Sequence, residues 1–204
     1  MSTQLFESKP SGLVRVSGED ALPYLQSQLT IDFRKLPIHG VRLGLRLSRK
    51  GRVLFGTQVI RKAEEEYILV CRDISPSKVI ELLEENVVAD EVEFSEVPGQ
   101  WMLSTLLTDS STHLDNQVGN LSLPVPGEAF EMENGWIYVD SRMPNFAYTF
   151  LHPTNMSPPH FGEAEEICKF EMEERRLREQ LFRPGWEIAE DAFPQEGGLE
   201  KDAV

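Results

Sequence analysis

Residues 41–60 read VRLGLRLSRKGRVLFGTQVI. Val41, Leu43, Leu45 and Leu47 are apolar at every second position, with Arg42, Gly44, Arg46 and Ser48 between them, and this period of two predicts a strand with one buried face. Arg42 and Arg46 then share the open face, about 13 to 14 Å apart at strand rise. Arg49-Lys50-Gly51 makes a tight reversal in which Gly51 is free to take a positive φ, and Val53 to Ile60 returns as the antiparallel partner. Charge concentrates here as well. From Phe33 to Lys62 there is no Asp or Glu, while Arg34, Lys35, Arg42, Arg46, Arg49, Lys50, Arg52, Arg61 and Lys62 supply nine of the 20 basic residues of a chain whose net charge is −14. A basic island on an acidic protein points to one anionic ligand or partner met at one place, unless these cations pair with the acidic remainder across the fold.

Working outward, Leu13 to Val16 is a short apolar run that stops at Ser17-Gly18. Asp20 then caps a helix carrying Leu22, Leu25 and Leu29, with Pro23 tolerable near the first turn, where its missing N–H has no intrahelical acceptor. Tyr67 to Cys71 is a further strand, and Ser75-Pro76 opens a helix with Val79, Leu82, Leu83 and Val87 on one stripe. Val92 and Phe94 alternate in the next strand. The order strand, helix, three strands, helix, strand predicts an α+β layer with helices on one face of an antiparallel sheet.

After Val97-Pro98-Gly99 the pattern changes to short β segments at Trp101 to Leu107, Leu121 to Val125, Trp136 to Val139 and Phe146 to Leu151, with a polar loop over Thr108 to Gly119. Pro153 to His160 reads as a linker or crossing loop. A charged amphipathic helix is expected from about Glu163 to Phe182, with Ile167, Phe170, Leu177 and Leu181 as its apolar positions, and the tail from Gly197 shows no cap or strand partner. Two α+β subdomains are expected, residues 1–98 with the basic hairpin and residues 99–204.

With 204 residues, 40% of them apolar, the chain can bury one core or two small ones, and its composition is neither that of a disordered polymer nor of a repeat array. No apolar run is long enough to span a membrane and the first residues lack the plan of a signal peptide, so a cytoplasmic protein is expected. Cys71 and Cys168, in apolar patterns, read as buried thiols. There is no Gly-x-Ser-x-Gly, phosphate-binding Gly-rich loop, His-Glu-x-x-His or Cys-x-x-Cys. His39, His113, His152 and His160 fall in expected loops, and the carboxylates at Glu187, Glu190, Asp191 and Glu196 are weak signals in so acidic a chain. The net charge argues against direct nucleic-acid binding, and RNA contact through the basic island needs aromatic platforms, for which only Phe33 and Phe55 are at hand.

Two stretches carry more. Residues 12–61 contain GLVRVSGEDALPYLQSQLTIDFRKL and LRLSRKGRVLFGTQVIR, and residues 175–204 read RRLREQLFRPGWEIAEDAFPQEGGLEKDAV. Together they resemble the YgfZ-like folate-binding branch of the glycine-cleavage T-protein superfamily. In that family a strand leads into a G-x-D-A-x-x-(F/Y)-L-Q helix and a hairpin built on L-x-x-K-G-R-V-L. A later R-x-E-x-G-x-P-x-x-G-x-(E/D)-I-x-E-D segment leads to P-Q-E-x-G-L. The resemblance implies the family's α+β folate-binding fold, tetrahydrofolate or a derivative as ligand, and a non-catalytic role supporting iron–sulfur enzymes, including those that modify tRNA, with iron–sulfur proteins as partners. A reduced folate offers a flat pterin with N–H donors and a glutamate tail. Under the resemblance Arg42, Arg46, Lys50 and Arg52 would receive the tail, Glu179 the pterin, and Trp186 and Tyr24 would be walls, Trp186 being equally readable as a packing residue.

Departures matter as much. The family's aminomethyltransferases end this hairpin in a pair of aspartates, one of which serves the transfer to tetrahydrofolate, and here those positions are Phe55 and Gly56, so aminomethyl transfer is not expected. An ungapped register from Glu187-Ile188-Ala189-Glu190-Asp191 backwards puts Arg178 where the family has glutamate, and a one-residue shift restores Glu179. The motif's Gly and Pro become Gln180 or Leu181 and Phe182 or Arg183. The family's K-G-C-(Y/F)-x-G-Q-E signature and C-terminal barrel would begin after Val204. The alternative reading is therefore a shortened member without folate binding, acting as an interaction or regulatory module and prone to self-association through uncovered apolar surface.

Overall fold

The computed structural model describes residues 3–108, 124–133, 135–139, 147–156, 164–181, 183, 188 and 192–199. It separates into two compact units, Met1–Lys9 with Gly99–Leu181, and Pro10–Pro98 with Phe182–Val204. The chain changes unit between Pro98 and Gly99. The two ends depart from the expected division: the first strand, β1 (Gln4–Ser8), belongs with the later residues, and the last residues return to the earlier ones.

The unit that contains the hairpin holds β2 (Gly12–Ser17), α1 (Ala21–Gln28), β3 (Val41–Leu47), β4 (Val53–Ala63), β5 (Glu66–Cys71), α2 (Pro76–Glu84) and β6 (Glu93–Glu96). Its five strands lie in the order β3-β4-β5-β2-β6, each pair antiparallel. The ends of α1 and α2 are chemically different. Ser75 Oγ accepts the Lys78 N–H (3.2 Å) and Pro76 takes the first helical position, as expected of α2. Asp20 precedes α1 but makes no capping bond; its carboxylate instead accepts the Glu91 N–H at 2.8 Å, joining the helix start to the approach to β6.

One sheet face packs Val14, Val16, Leu69 and Phe55 against Leu25 of α1 and Val79 and Leu83 of α2, with Phe33 and Tyr67 edge to face at 5.5 Å. Each such side chain contributes about 1.5 to 3 kcal/mol on burial. The opposite face is covered too: Leu43, Leu45 and Val53 bury against Ile188, Ala192 and Leu199. The expectation of an open face on β3 is therefore corrected. Arg42, Gly44 and Arg46 point to the helix side, where Ile31 lies over Gly44, so close that an added Cβ would stand 2.7 Å from Ile31 Cδ1. The tail, expected to lack partners, supplies the cover of the other face through a 3₁₀ turn at Pro194–Gly197 and the buried Leu199.

The second unit is a six-stranded sheet ordered β11-β1-β7-β10-β9-β8, formed by β1, β7 (Trp101–Leu107), β8 (Ala129–Met132), β9 (Gly135–Val139), β10 (Ala147–Pro153) and β11 (Glu165–Glu166). Only the β1–β11 pair is parallel. Three of its strands fall where β segments were expected. Residues 121–123 of the remaining segment lie outside the described residues, and Pro124 and Val125 form no strand. The helix α3 (Lys169–Arg178) is shorter than expected, and its inward side chains are Met172 and Arg176, whereas Phe170 and Leu177 are exposed. Arg176 can be buried because it grips Glu173 through two donors (2.6 and 3.1 Å) and donates to the Leu181 carbonyl at 2.8 Å. Cys71 is buried as expected, but Cys168 is exposed at the start of α3. No helix among the described residues is long and apolar enough to cross a membrane.

Candidate functional site

The hairpin turn is closed by Ser48. Its N–H donates to the Arg52 carbonyl (2.8 Å), its Oγ accepts the Arg52 N–H (3.1 Å) and its carbonyl accepts the Gly51 N–H (2.9 Å). Gly51 has φ 75°, in the left-handed region that glycine enters without a Cβ penalty. The register pairs Arg46 with Phe55 and shifts between Arg46 and Leu47. On its outer edge β3 is met by Leu29 and Thr30: Thr30 N–H donates to the Leu45 carbonyl (3.1 Å) and Thr30 Oγ1 accepts the Leu45 N–H (3.0 Å). An edge strand that would otherwise offer open hydrogen-bonding groups is thereby covered and Arg46 is held beside Leu29.

The nine cations of the basic island divide into two groups. Arg34 and Lys35 pair with Asp32 (2.8 and 3.2 Å), and Lys62 pairs with Glu66 at 3.2 Å. Arg61 is a backbone clamp, donating to the carbonyls of Leu36 (2.8 Å) and Glu64 (3.2 Å) with Tyr67 beneath it. Arg52 lies over the Phe193 ring. The other four, Arg42, Arg46, Arg49 and Lys50, have no carboxylate partner among the described residues. Arg42, Arg49 and Lys50 are exposed; Arg42 donates to the neighbouring Val41 carbonyl at 2.8 Å.

Arg46 is the informative member. It is half-buried, its Nη1 donates to the Leu47 carbonyl (3.2 Å), and its Nε is sealed from solvent without an acceptor. With Nη1 engaged and Nε sealed, Nη2 is the guanidinium nitrogen without a partner among the described residues. A buried donor without an acceptor costs about 1 to 3 kcal/mol, more for a charged group. Phe55, its cross-strand partner, is in the core, and Gly56 pairs with Leu45, so neither position expected for the family's aspartates carries an acid.

The remaining sequence-level candidates are dispersed. Tyr24 is a core residue: its hydroxyl donates to the Leu83 carbonyl and its ring meets Phe94 edge-on at 5.7 Å. Burial raises the Tyr24 pKa, with the Arg46 guanidinium pulling it the other way. Glu179 is exposed just past the end of α3, in the other unit, and Arg178 pairs with Glu174 at 2.8 Å. Trp186, Glu187, Glu190, Asp191, His113 and His160 lie outside the described residues. Sequence reasoning missed Phe193, because nothing in its local pattern says that it stacks on Arg52, and Ile31, whose place over Gly44 depends on the glycine.

His152 is in β10, not in a loop as expected, and Ser104 Oγ lies between His152 Nε2 (2.9 Å) and Glu7 Oε1 (3.1 Å). This is not a nucleophilic arrangement: Ser104 has no exposed surface, the carboxylate bonds to the serine and not to the imidazole, and His152 Nδ1 is directed at the Pro153 carbonyl (3.0 Å). Among the described residues no group of His, Cys, Asp and Glu is placed to hold a metal.

The chain is 24% identical over 214 aligned positions to an aminomethyltransferase of Listeria innocua serovar 6a, and 25% identical to one of Listeria welshimeri serovar 6b, covering 96% of this chain and 57% of each relative. The solved glycine cleavage system aminomethyltransferase T from Bartonella henselae superposes with a TM-score of 0.62 at 19% identity, over 86% of this chain and 45% of that one. The chain thus spans about half the length of these relatives, and the last similarity is one of fold. The family model of the GCVT N-terminal domain matches residues 1–114, more than half of the chain and all of the hairpin, and the chain belongs to that family.

Proposed function

We propose that this protein binds a reduced folate without transferring an aminomethyl group, in the YgfZ-like manner that its motifs resemble, as a support for iron–sulfur enzymes and, through them, tRNA modification. The observation that carries the binding reading is Arg46, half-buried on the hairpin with no carboxylate partner among the described residues, a cation with which one carboxylate of a folate tail would pair. Arg42, Lys50 and Arg52 flank it on the same hairpin. The non-catalytic part rests on Phe55 and Gly56, which leave no carboxylate there to position the folate nitrogen. The iron–sulfur role rests on the resemblance alone.

Calorimetric titration with tetrahydrofolate and 5-formyltetrahydrofolate, alongside an Arg46→Ala, Lys50→Ala variant, tests the reading. Micromolar binding that weakens at least tenfold in the variant supports it. Absence of heat at protein concentrations near a millimolar overturns it.

A second reading, a family member that has lost folate and acts as an interaction module, is favoured by one observation. Gln180 has φ 59°, the left-handed conformation in which a glycine is at ease. In the ungapped register Gln180 stands at the motif's glycine and Arg176 at its arginine, so position 178 of the motif's glutamate is an arginine. A pterin would then meet a cation where its N–H donors need an acceptor. Glu179, one residue and about 100° around the helix, points elsewhere.

A further inference from the structure

We propose that the outward face of α3 is a contact surface for a second copy of this chain, the two helices packing antiparallel across a two-fold axis. Met172 and Arg176 turn inward and are buried, whereas Phe170 and Leu177 are 75% and 46% exposed. Seven residues apart, these two lie within about 20° of one another around the helix, on the side away from Met172 and Arg176. Among the described residues, no other two exposed large apolar side chains share one helix or strand. The pair is therefore a stripe, where scattered single residues would need no explanation.

The charge order of α3 selects the occupant. Glu171, Glu173 and Glu174 fill the middle of its first half, and Arg175, Arg176 and Arg178 fill its second. A parallel copy would set like charges together. An antiparallel copy sets the acidic half of each helix against the basic half of the other, and Phe170 of each against Leu177 of the other. A two-fold axis near residues 173 and 174 does both at once, so a single patch serves both copies. In that register Arg178 of one copy lies within about 3 Å, along the axis, of Glu171 of the other. Arg178 is free to be shared: its bond to Glu174 (2.8 Å) joins side chains that are 71% and 56% exposed, a pair that contributes little while it stays in water. The two Glu174 side chains, which come near the axis, each bring this arginine with them. Ten residues make a contact about 15 Å long, short of the roughly 800 Å² per partner of a stable complex, so the pairing is weak and depends on concentration.

Sedimentation equilibrium up to about 1 mM protein tests this, with an expected dissociation constant on the order of 0.1 mM. Phe170→Ser should weaken the association at least tenfold. Val88→Ser, at a residue 92% exposed outside α3, should leave it unchanged, and neither substitution should shift the unfolding temperature. Cys168, exposed at the start of α3 and off the stripe, reports the orientation when it carries a nitroxide label. The antiparallel register places the two Cys168 backbones about 19 Å apart, about 16 Å along the axis and about 9 Å across; parallel helices would bring them to about 9 Å. A label separation near the first value in the dimer, measured by double electron–electron resonance, supports the proposal. A monomer at millimolar concentration, a dimer indifferent to Phe170→Ser, or labels at the parallel spacing or far beyond 19 Å overturns it and leaves the face to another kind of partner. Folate binding is decided separately, by the calorimetry at the hairpin.

Discussion

The Arg52 guanidinium lies 3.7 Å from the centre of the Phe193 ring. This contact joins two sequence motifs about 140 positions apart, and the neighbouring Val53 N–H donates to the Ala192 carbonyl at 3.0 Å beside it. Gly197 is required below: a Cβ there would collide with Ile188 Cδ1 and approach Cγ1 to 2.8 Å. Phe193→Ala is expected to cost about 1 kcal/mol, the scale of an exposed cation–π pair with its packing. Gly197→Ala should cost about 1 to 3 kcal/mol, as overpacking does. Both should increase protease cleavage near the C-terminal segment before the rest of the chain is cut. Urea midpoints unchanged in both variants would show that the segment is not held there.

Gln180 closes α3 with both bonds of a Schellman turn, its own N–H to the Leu177 carbonyl (3.1 Å) and the Leu181 N–H to the Arg176 carbonyl (2.9 Å). The position demands a left-handed residue and holds one with a Cβ. Gln180→Gly is therefore expected to stabilise the protein by about 0.5 to 1 kcal/mol. Glu179→Gly, at an ordinary φ of −84°, should destabilise it. Thermal unfolding of the two variants decides; a loss of stability in Gln180→Gly would remove the support for the ungapped register.

The hairpin, β2, β5 and α2 are legible because local chemistry and tertiary position agree: alternation in Val41 to Leu47, a Ser-Pro helix start at Ser75 and Pro76. The short β1 is not, since Gln4 to Ser8 has only Leu5 and Phe6 to mark it and gains its strand identity from β7 on one side and β11 on the other. Periodicity misjudged α3 for a physical reason. Arg176 is buried because its charge is satisfied by Glu173 and the Leu181 carbonyl, a compensation that no hydropathy pattern contains. At the site, the concentration of cations was readable, but not which of them find carboxylates. Asp32 and Glu66 reach Arg34, Lys35 and Lys62 through turns and register, and leave Arg46 alone.

The two thiols should behave as different reagents. Burial pushes the Cys71 thiol up to about 12, with Glu96 adding to the shift, whereas Cys168 is exposed. At pH 8 the native protein should react with one equivalent of a thiol-reactive dye, and with a second only on unfolding. A Cys168→Ser variant should be silent until unfolded. Rapid reaction of both thiols in the native protein would place Cys71 outside the core.

Acid should loosen two local ties. Hydrogen bonds from Arg34, then Lys35, hold the Asp32 carboxyl below its usual value, and the Cys168 backbone N–H, 2.7 Å from Glu171 Oε2, does the same for Glu171. A carboxylate whose folded value is depressed binds its proton less readily when folded than when unfolded. Its stabilisation is present above the unfolded value, near 4, and is lost as pH falls through the folded one. Asp32→Asn and Glu171→Gln should each cost little at pH 7 beyond their charge contacts, and each should make the urea midpoint fall less steeply than in the parent between pH 5 and pH 3. The double variant should be flatter than either, because the two groups lie in different units and share no partner. Parallel acid profiles in parent and variants would mean that other carboxylates govern the acid limb.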